Sequence, residues 1–139
     1  MLPIALAMLH LSLGQCSQAE EGEPLLCPTK LPVVRSITVE KSARQAWEEK
    51  TQPVSCRSFV LTAPVMRAYL RRAKRTDAQS VHYLLAESPC YATGQVRFAD
   101  GRTARWRVDQ FSVGELAFSG REKIRLYCPA CRMKPFVPQ

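Results

Sequence analysis

The residues with the most chemistry to offer are the cysteines: Cys16, Cys27, Cys56, Cys90, Cys128 and Cys131, in a chain of 139 residues. Two of them form a short motif, Cys128-Pro129-Ala130-Cys131. A redox pair of this spacing normally opens a helix, whose backbone N–H groups lower the pKa of the first thiol. Here Pro135 and Pro138 follow almost at once and leave no room for that helix. A zinc site would use Cys56, Cys90, Cys128 and Cys131 as four thiolates, yet only one of the two short-spaced pairs it needs is present. Structural bridging is the remaining use. Cys56 and Cys90 are each expected to pair with one member of Cys128/Cys131, and the residues leave the crossing open. Bridges closing such long loops contribute ~3–5 kcal/mol each, mostly through the unfolded state. No metal and no cofactor is expected.

Other chemical signals are thinner. His82 lies in Val81-His82-Tyr83-Leu84-Leu85 with Glu87 close behind. A catalytic role needs a nucleophile or acid within reach, and nothing marks a triad, so a packed or capping histidine is expected. There is no Gly-rich phosphate loop, paired-carboxylate motif or nucleophile elbow. Arg67, Arg71, Lys74 and Arg75 share one side of a helical projection, which serves either as a solvated face or as an anion-docking face.

The elements that must position these groups follow from periodicity. Residues 20–32 read as a tether carrying Pro24, Pro28 and Pro32. Val33 to Val39 reads as a strand, and Ser42 to Lys50 as a short helix with Ala43, Ala46 and Trp47 on one side. Thr62 is a fit N-cap, and Pro64 suits a first turn, where its missing N–H is no loss. Met66, Tyr69, Leu70 and Ala73 then repeat as a buried helical stripe. From Tyr91 the period becomes two: Gly94, Val96 and Phe98 alternate with Gln95 and Arg97, and Ala104, Trp106 and Val108 with Arg105 and Arg107. A two-residue Asp100-Gly101 loop would put the apolar faces out of phase. A three-residue loop with Gly101 left-handed pairs Phe98 with Arg102, Val96 with Ala104 and Gly94 with Trp106. Leu116, Phe118, Ile124 and Leu126 continue the alternation across Ser119-Gly120-Arg121. The expected fold is α+β: a four-stranded antiparallel meander with the basic amphipathic helix on one face, stapled by disulfides.

Composition bounds what such a fold is for. A hydrophobic fraction of 46% and a charged fraction of 23% are ordinary for a globular chain, and the length supports one core. The net charge of +8 favours anionic partners. Ile4 to Leu13 is an apolar run too short to span a bilayer, and Ser17-Gln18-Ala19 places small residues where a signal peptidase reads. Residues 1–19 are therefore expected to be a signal peptide, 20–52 an N-terminal arm, partly extended or flexible, and 53–139 the compact domain. Leu13-Gly14-Gln15-Cys16 also resembles a lipoprotein cleavage box. Cleavage after Ala19 leaves five cysteines, an odd number, and Cys27 in its Pro-flanked stretch is the expected odd thiol.

Four stretches carry a resemblance: Cys56-Arg57-Ser58-Phe59 with Leu61-Thr62, Ser88-Pro89-Cys90-Tyr91-Ala92-Thr93-Gly94, Phe98-Ala99-Asp100-Gly101-Arg102 with Trp106, and Leu126-Tyr127-Cys128 with Cys131. Over roughly Cys56 to Cys131 the chain resembles a group of small exported proteins of Gram-negative bacteria. The resemblance implies a periplasmic or secreted location and a four-cysteine core, and no mechanism. The expected function is that of an exported binding or inhibitory protein, of immunity type, that occludes another protein of the envelope without catalysis. The rivals are a binder of anionic envelope polymer using Arg67, Arg71, Lys74 and Arg75, and a thiol-redox or zinc protein using Cys128 and Cys131. Nucleic acid is not an expected partner, and the mature chain is expected to have no transmembrane segment.

Overall fold

Gly94 and Trp106 face one another across two central strands, and the sheet is built outward from that pair. The computed structural model describes residues 15–18, 20–49, 54–120 and 122–139. Strands β3 (Cys90–Phe98), β4 (Thr103–Asp109), β5 (Val113–Phe118) and β6 (Lys123–Tyr127) form an up-down antiparallel meander. The three-residue loop is present as expected: the Phe98 N–H donates to Arg102 O at 2.9 Å, and Gly101 takes φ +90°. That register keeps Ala92, Val96, Phe98, Ala104, Trp106, Val108, Leu116, Phe118, Ile124 and Leu126 on one buried face. Gly94 is required there, because a Cβ would stand 2.5–2.7 Å from the Trp106 ring. Burying an indole of roughly 200 Å² is worth about 5 kcal/mol at 25 cal/mol per Å².

Two further strands flank the meander, so the sheet has six strands in the order β1-β3-β4-β5-β6-β2 rather than the expected four. β1 (Val34–Gln45) pairs with β3 and runs through Ser42–Gln45, where a helix was expected. Ala43 there has φ 53°, a local break that, with register shifts after Val39 and Lys41, lets the strand continue instead of coiling. Trp47 consequently lies outside any helix and is 42% exposed. The segment read as an N-terminal arm thus supplies an edge strand of the main sheet.

Helix α1 (Ala63–Arg72) begins as the sequence predicts. The Thr62 hydroxyl accepts from Val65 N, and Pro64 sits in the first turn. Met66, Tyr69 and Leu70 are buried against the sheet and Phe136. The helix stops before Lys74, and β2 (Lys74–Thr76) instead pairs with β6. An exposed basic pair gains more from completing the backbone hydrogen bonds of an edge strand than from one more helical turn. Helix α2 (Ala78–Tyr83) follows, its N-cap Asp77 accepting from Ser80 N at 2.7 Å.

The disulfides correct the expected pairing. Cys56 joins Cys90, Cys128 joins Cys131, and Cys16 joins Cys27, with no free cysteine among the described residues. Cys56 enters beside the start of β3, whereas Cys128 and Cys131 close their own turn after β6, so the long crossings do not arise. Cys27 is not an odd thiol. Backbone hydrogen bonds between Ser17 and Leu26 hold its partner segment in place, and Cys27 itself bridges to Arg75 on β2. The apolar run Ile4–Leu13 and Ala19 lie outside the described residues, but a cut after Ala19 would remove Cys16 from its partner. Among the described residues, no helix is long and apolar enough to cross a membrane.

Candidate functional site: an uncovered basic sheet face and a cleft at its end

α1 and the C-terminal segment cover one face of the sheet and leave the other open. Alternation places Gln95, Arg97, Arg105, Arg107, Lys123 and Arg125 on that open face, and the register lays Lys41 and Arg44 beside them opposite Thr93 and Tyr91. The acids on it are engaged. Glu40 takes Arg105 at 3.3 Å and Gln95 at 2.8 Å, and Glu115 takes Lys123 at 2.9 Å. Lys41, Arg44, Arg97, Arg107 and Arg125 have no ion pair among the described residues. Exposed pairs such as these contribute little to stability, so the arrangement of the cations is better explained by what they meet than by what they stabilise.

The four basic residues singled out on a helical projection do not form one face. Arg67 donates to Val34 O and Arg35 O at 3.1 and 3.5 Å, tying α1 to β1. Arg71 stays on α1, while Lys74 and Arg75 lie on β2 because the helix ends before them. The basic surface that the fold does assemble was written in the alternation itself, in Arg97, Arg105 and Arg107 opposite the core positions.

At the α2 end of the open face is a cleft of about 480 Å³. Its floor is strand-borne, with Arg107, Glu115 and Arg125 side by side in one cross-strand row. Its walls include Trp47, Val81, His82 and Glu87, and Asp109 lies buried at its back. The Arg107 guanidinium is stacked over the Tyr91 ring at 3.8 Å. Of the packed or capping roles expected for His82, the structure gives it a place in the last turn of α2, exposed and edge-on to Tyr83.

Asp109 is the one carboxylate with a strongly altered environment. Its oxygens accept from Phe111 N at 2.8 Å, Val113 N at 3.2 Å and Ser88 N at 3.0 Å, so it ties the β4–β5 turn to the entry of β3. Burial pushes its pKa up to about 7 against the downward pull of those three donors, and Glu87 adds to the rise. Tyr69 approaches the same turn from the core and donates to Ser112 O at 3.0 Å. Burial, and then the charge on Asp109, raise its hydroxyl pKa well above the usual value. Sequence reading passed Asp109 by, since an Asp at a strand end looks like any turn residue.

The four cysteines expected in the fold do not assemble as a thiolate cluster. Cys128 and Cys131 are each 2% exposed, and the Cys131 N–H donates to Cys128 O within their turn. Buried sulfurs outside a helix N-terminus lack the access and the electropositive setting that thiol exchange requires. Among the described residues no group of His, Cys, Asp and Glu is placed to hold a metal ion. Comparison with known proteins found no matching family model, curated protein or solved structure.

Proposed function

We propose that this chain is an exported, non-catalytic binding protein, of the occluding or immunity type, that docks an acidic surface of a protein partner on its open sheet face. The observation carrying this reading is the set of unneutralised cations on that face: Lys41, Arg44, Arg97, Arg107 and Arg125. A flat surface rich in Arg, with Tyr91 and Trp47 beside it, has the composition of interface hot spots. Electrostatic complementarity of this kind speeds encounter and rejects wrong partners. Three disulfides in a small chain support an oxidising compartment, the periplasm or outside the cell.

The test is capture from an envelope extract with the wild type and with Lys41→Glu/Arg97→Glu. Both residues are exposed and outside the cleft, so the fold should survive. An acidic protein retained by the wild type and lost with the variant, with retention weakening as salt rises, is the expected result. Retention of a polyanionic polymer in place of a protein, or of the same protein by the variant, refutes the reading.

A further inference from the structure

We infer that the cleft at the α2 end of the sheet receives the carboxylate of a Glu or Asp side chain from that partner, between Arg107 and Arg125; this rests on the reading of the open face as a protein-docking surface. Both guanidinium groups line the cleft floor. Glu115 lies between them in the cross-strand row, at the register position shared by all three. Yet its carboxylate pairs with Lys123 at 2.9 Å, and neither arginine is within ion-pair distance of a described carboxylate. The fold therefore presents two cations on either side of Glu115, whose carboxylate is engaged by Lys123 instead of by either of them.

Arg107 is also held ready. Stacking on Tyr91 fixes the Arg107 guanidinium without using its N–H donors, and a planar fork with free donors matches a carboxylate. Preorganisation of this kind lowers the ordering cost of binding. Above the floor, Trp47 exposes a large apolar surface that no core residue covers, and Val81 flanks the cleft from α2. An acidic side chain with its aliphatic stem would place charge on the floor and methylenes against that wall.

The other acids of the cleft do not oppose this equally. Asp109 is enclosed by three backbone donors at the back, and burial raises its pKa to about 7, so it carries only part of a full charge at neutral pH. Among the described residues lining the cleft, Glu87 is the one acid left unpaired beside Asp109, against two unpaired guanidinium groups. A volume of about 480 Å³ admits one side chain with its flanking backbone and excludes a folded element.

The experiment titrates the protein with N-acetyl-glutamic acid α-methylamide, which carries a single side-chain carboxylate, and with its glutamine counterpart. The signals followed are the Trp47 indole N–H and the side-chain N–H groups of Arg107, Arg125 and Arg97. The expected result is saturable shifts at Trp47, Arg107 and Arg125 with a Kd in the millimolar range. The glutamine probe should be at least about tenfold weaker, in keeping with the loss of a charge-assisted bidentate contact. Arg107→Gln/Arg125→Gln should abolish the shift at Trp47, and the two-probe comparison on the wild type stands even where that variant folds poorly. Equal response to the two probes, shifts concentrated at Arg97, or no response at all overturns the proposal. Lys41→Glu/Arg97→Glu should keep the probe response while losing the partner. If that variant keeps the partner, the face reading fails on its own, whatever the probe does in the cleft.

Discussion

Replacing Asp109 by Asn asks which of two opposed forces governs the buried carboxyl. Burial favours the protonated form, and three N–H donors favour the ionised one; burial prevails and sets the pKa to about 7, against 3.8 for the free side chain. A folded pKa raised above the unfolded one means that the native state holds the proton more tightly. Its contribution to stability is fully present below the unfolded value and is lost as pH rises through about 7. At 1.36 kcal/mol per unit, a rise of roughly three units corresponds to about 4 kcal/mol between pH 4 and pH 7. Asn keeps an acceptor for Phe111 N and Val113 N but turns an amide N–H₂ toward Ser88 N, at a cost of about 1–3 kcal/mol that does not vary with pH. Denaturant unfolding of both proteins from pH 3.5 to 8 gives the difference in stability, in which every other titrating group largely cancels. The wild type should lose ground to the variant by up to about 1.4 kcal/mol per pH unit across that window. A difference that stays flat would mean that Asp109 titrates normally. One that grows in favour of the wild type as pH rises would mean that the three donors win, and the desolvation argument would be refuted.

Other expectations separate backbone strain, packing and covalent contributions. Gly94→Val should cost about 3 kcal/mol or more, because the new side chain meets the Trp106 ring and Thr38 O on β1; thermal melting checks it. Gly101→Val should cost only ~1–3 kcal/mol, since nothing lies within 4 Å and the φ of +90° alone opposes it. An equal loss at both sites would mean that the Gly94–Trp106 contact is not tight. Removing Cys56–Cys90 by double Ser substitution should destabilise by about 4 kcal/mol, and removing Cys128–Cys131 by about 2 kcal/mol, as expected for closed loops of 34 and 3 residues. Peptide mapping under non-reducing conditions should find those two links. Intact mass of the chain purified from its host should show a start ahead of Cys16, with the Cys16–Cys27 link formed; a chain starting at Glu20 with a titratable Cys27 thiol contradicts that link.

The meander was legible because its information is local. Register there depends on alternation and on Gly101, and both act within a few residues of the turn. α1 was legible at its start for the same reason, through Thr62 and Pro64, but not at its end. Lys74 and Arg75 fit a helix as well as a strand, and what decided between them was an unpaired edge on β6, supplied by residues some 50 positions later. β1 was half legible: Val33–Val39 alternates, whereas Ser42–Gln45 takes its extended form from β3 across the sheet and not from its own composition. The expected cysteine pairing relies on the sheet ends as meeting points. Cys128 and Cys131 instead face each other across a turn of their own. Of the site, the cations of the open face were visible as polar alternation, but their common location with Trp47 and Asp109 required the fold.

The edges of the sheet bear on how a partner can approach. Strand addition needs a long, regular, unpaired edge, and neither edge offers one. β1 breaks register three times along its length, and Ala43 N is already spent on Phe59 O. β2 is three residues long, and its outer side takes Cys27 through Arg75, with a disulfide to Cys16 fixing that cover in place. The Cys16–Cys27 link therefore does more than close a short loop. It holds a backbone cap on the outer side of β2, the strand that covers β6 beside the cleft, where Arg125 lies opposite Thr76. With one edge irregular, the other short and capped, and one face buried, the basic face is a large surface left for contact. On the proposed reading, a partner docked on that face meets side chains rather than backbone, and its specificity comes from charge and from the cleft.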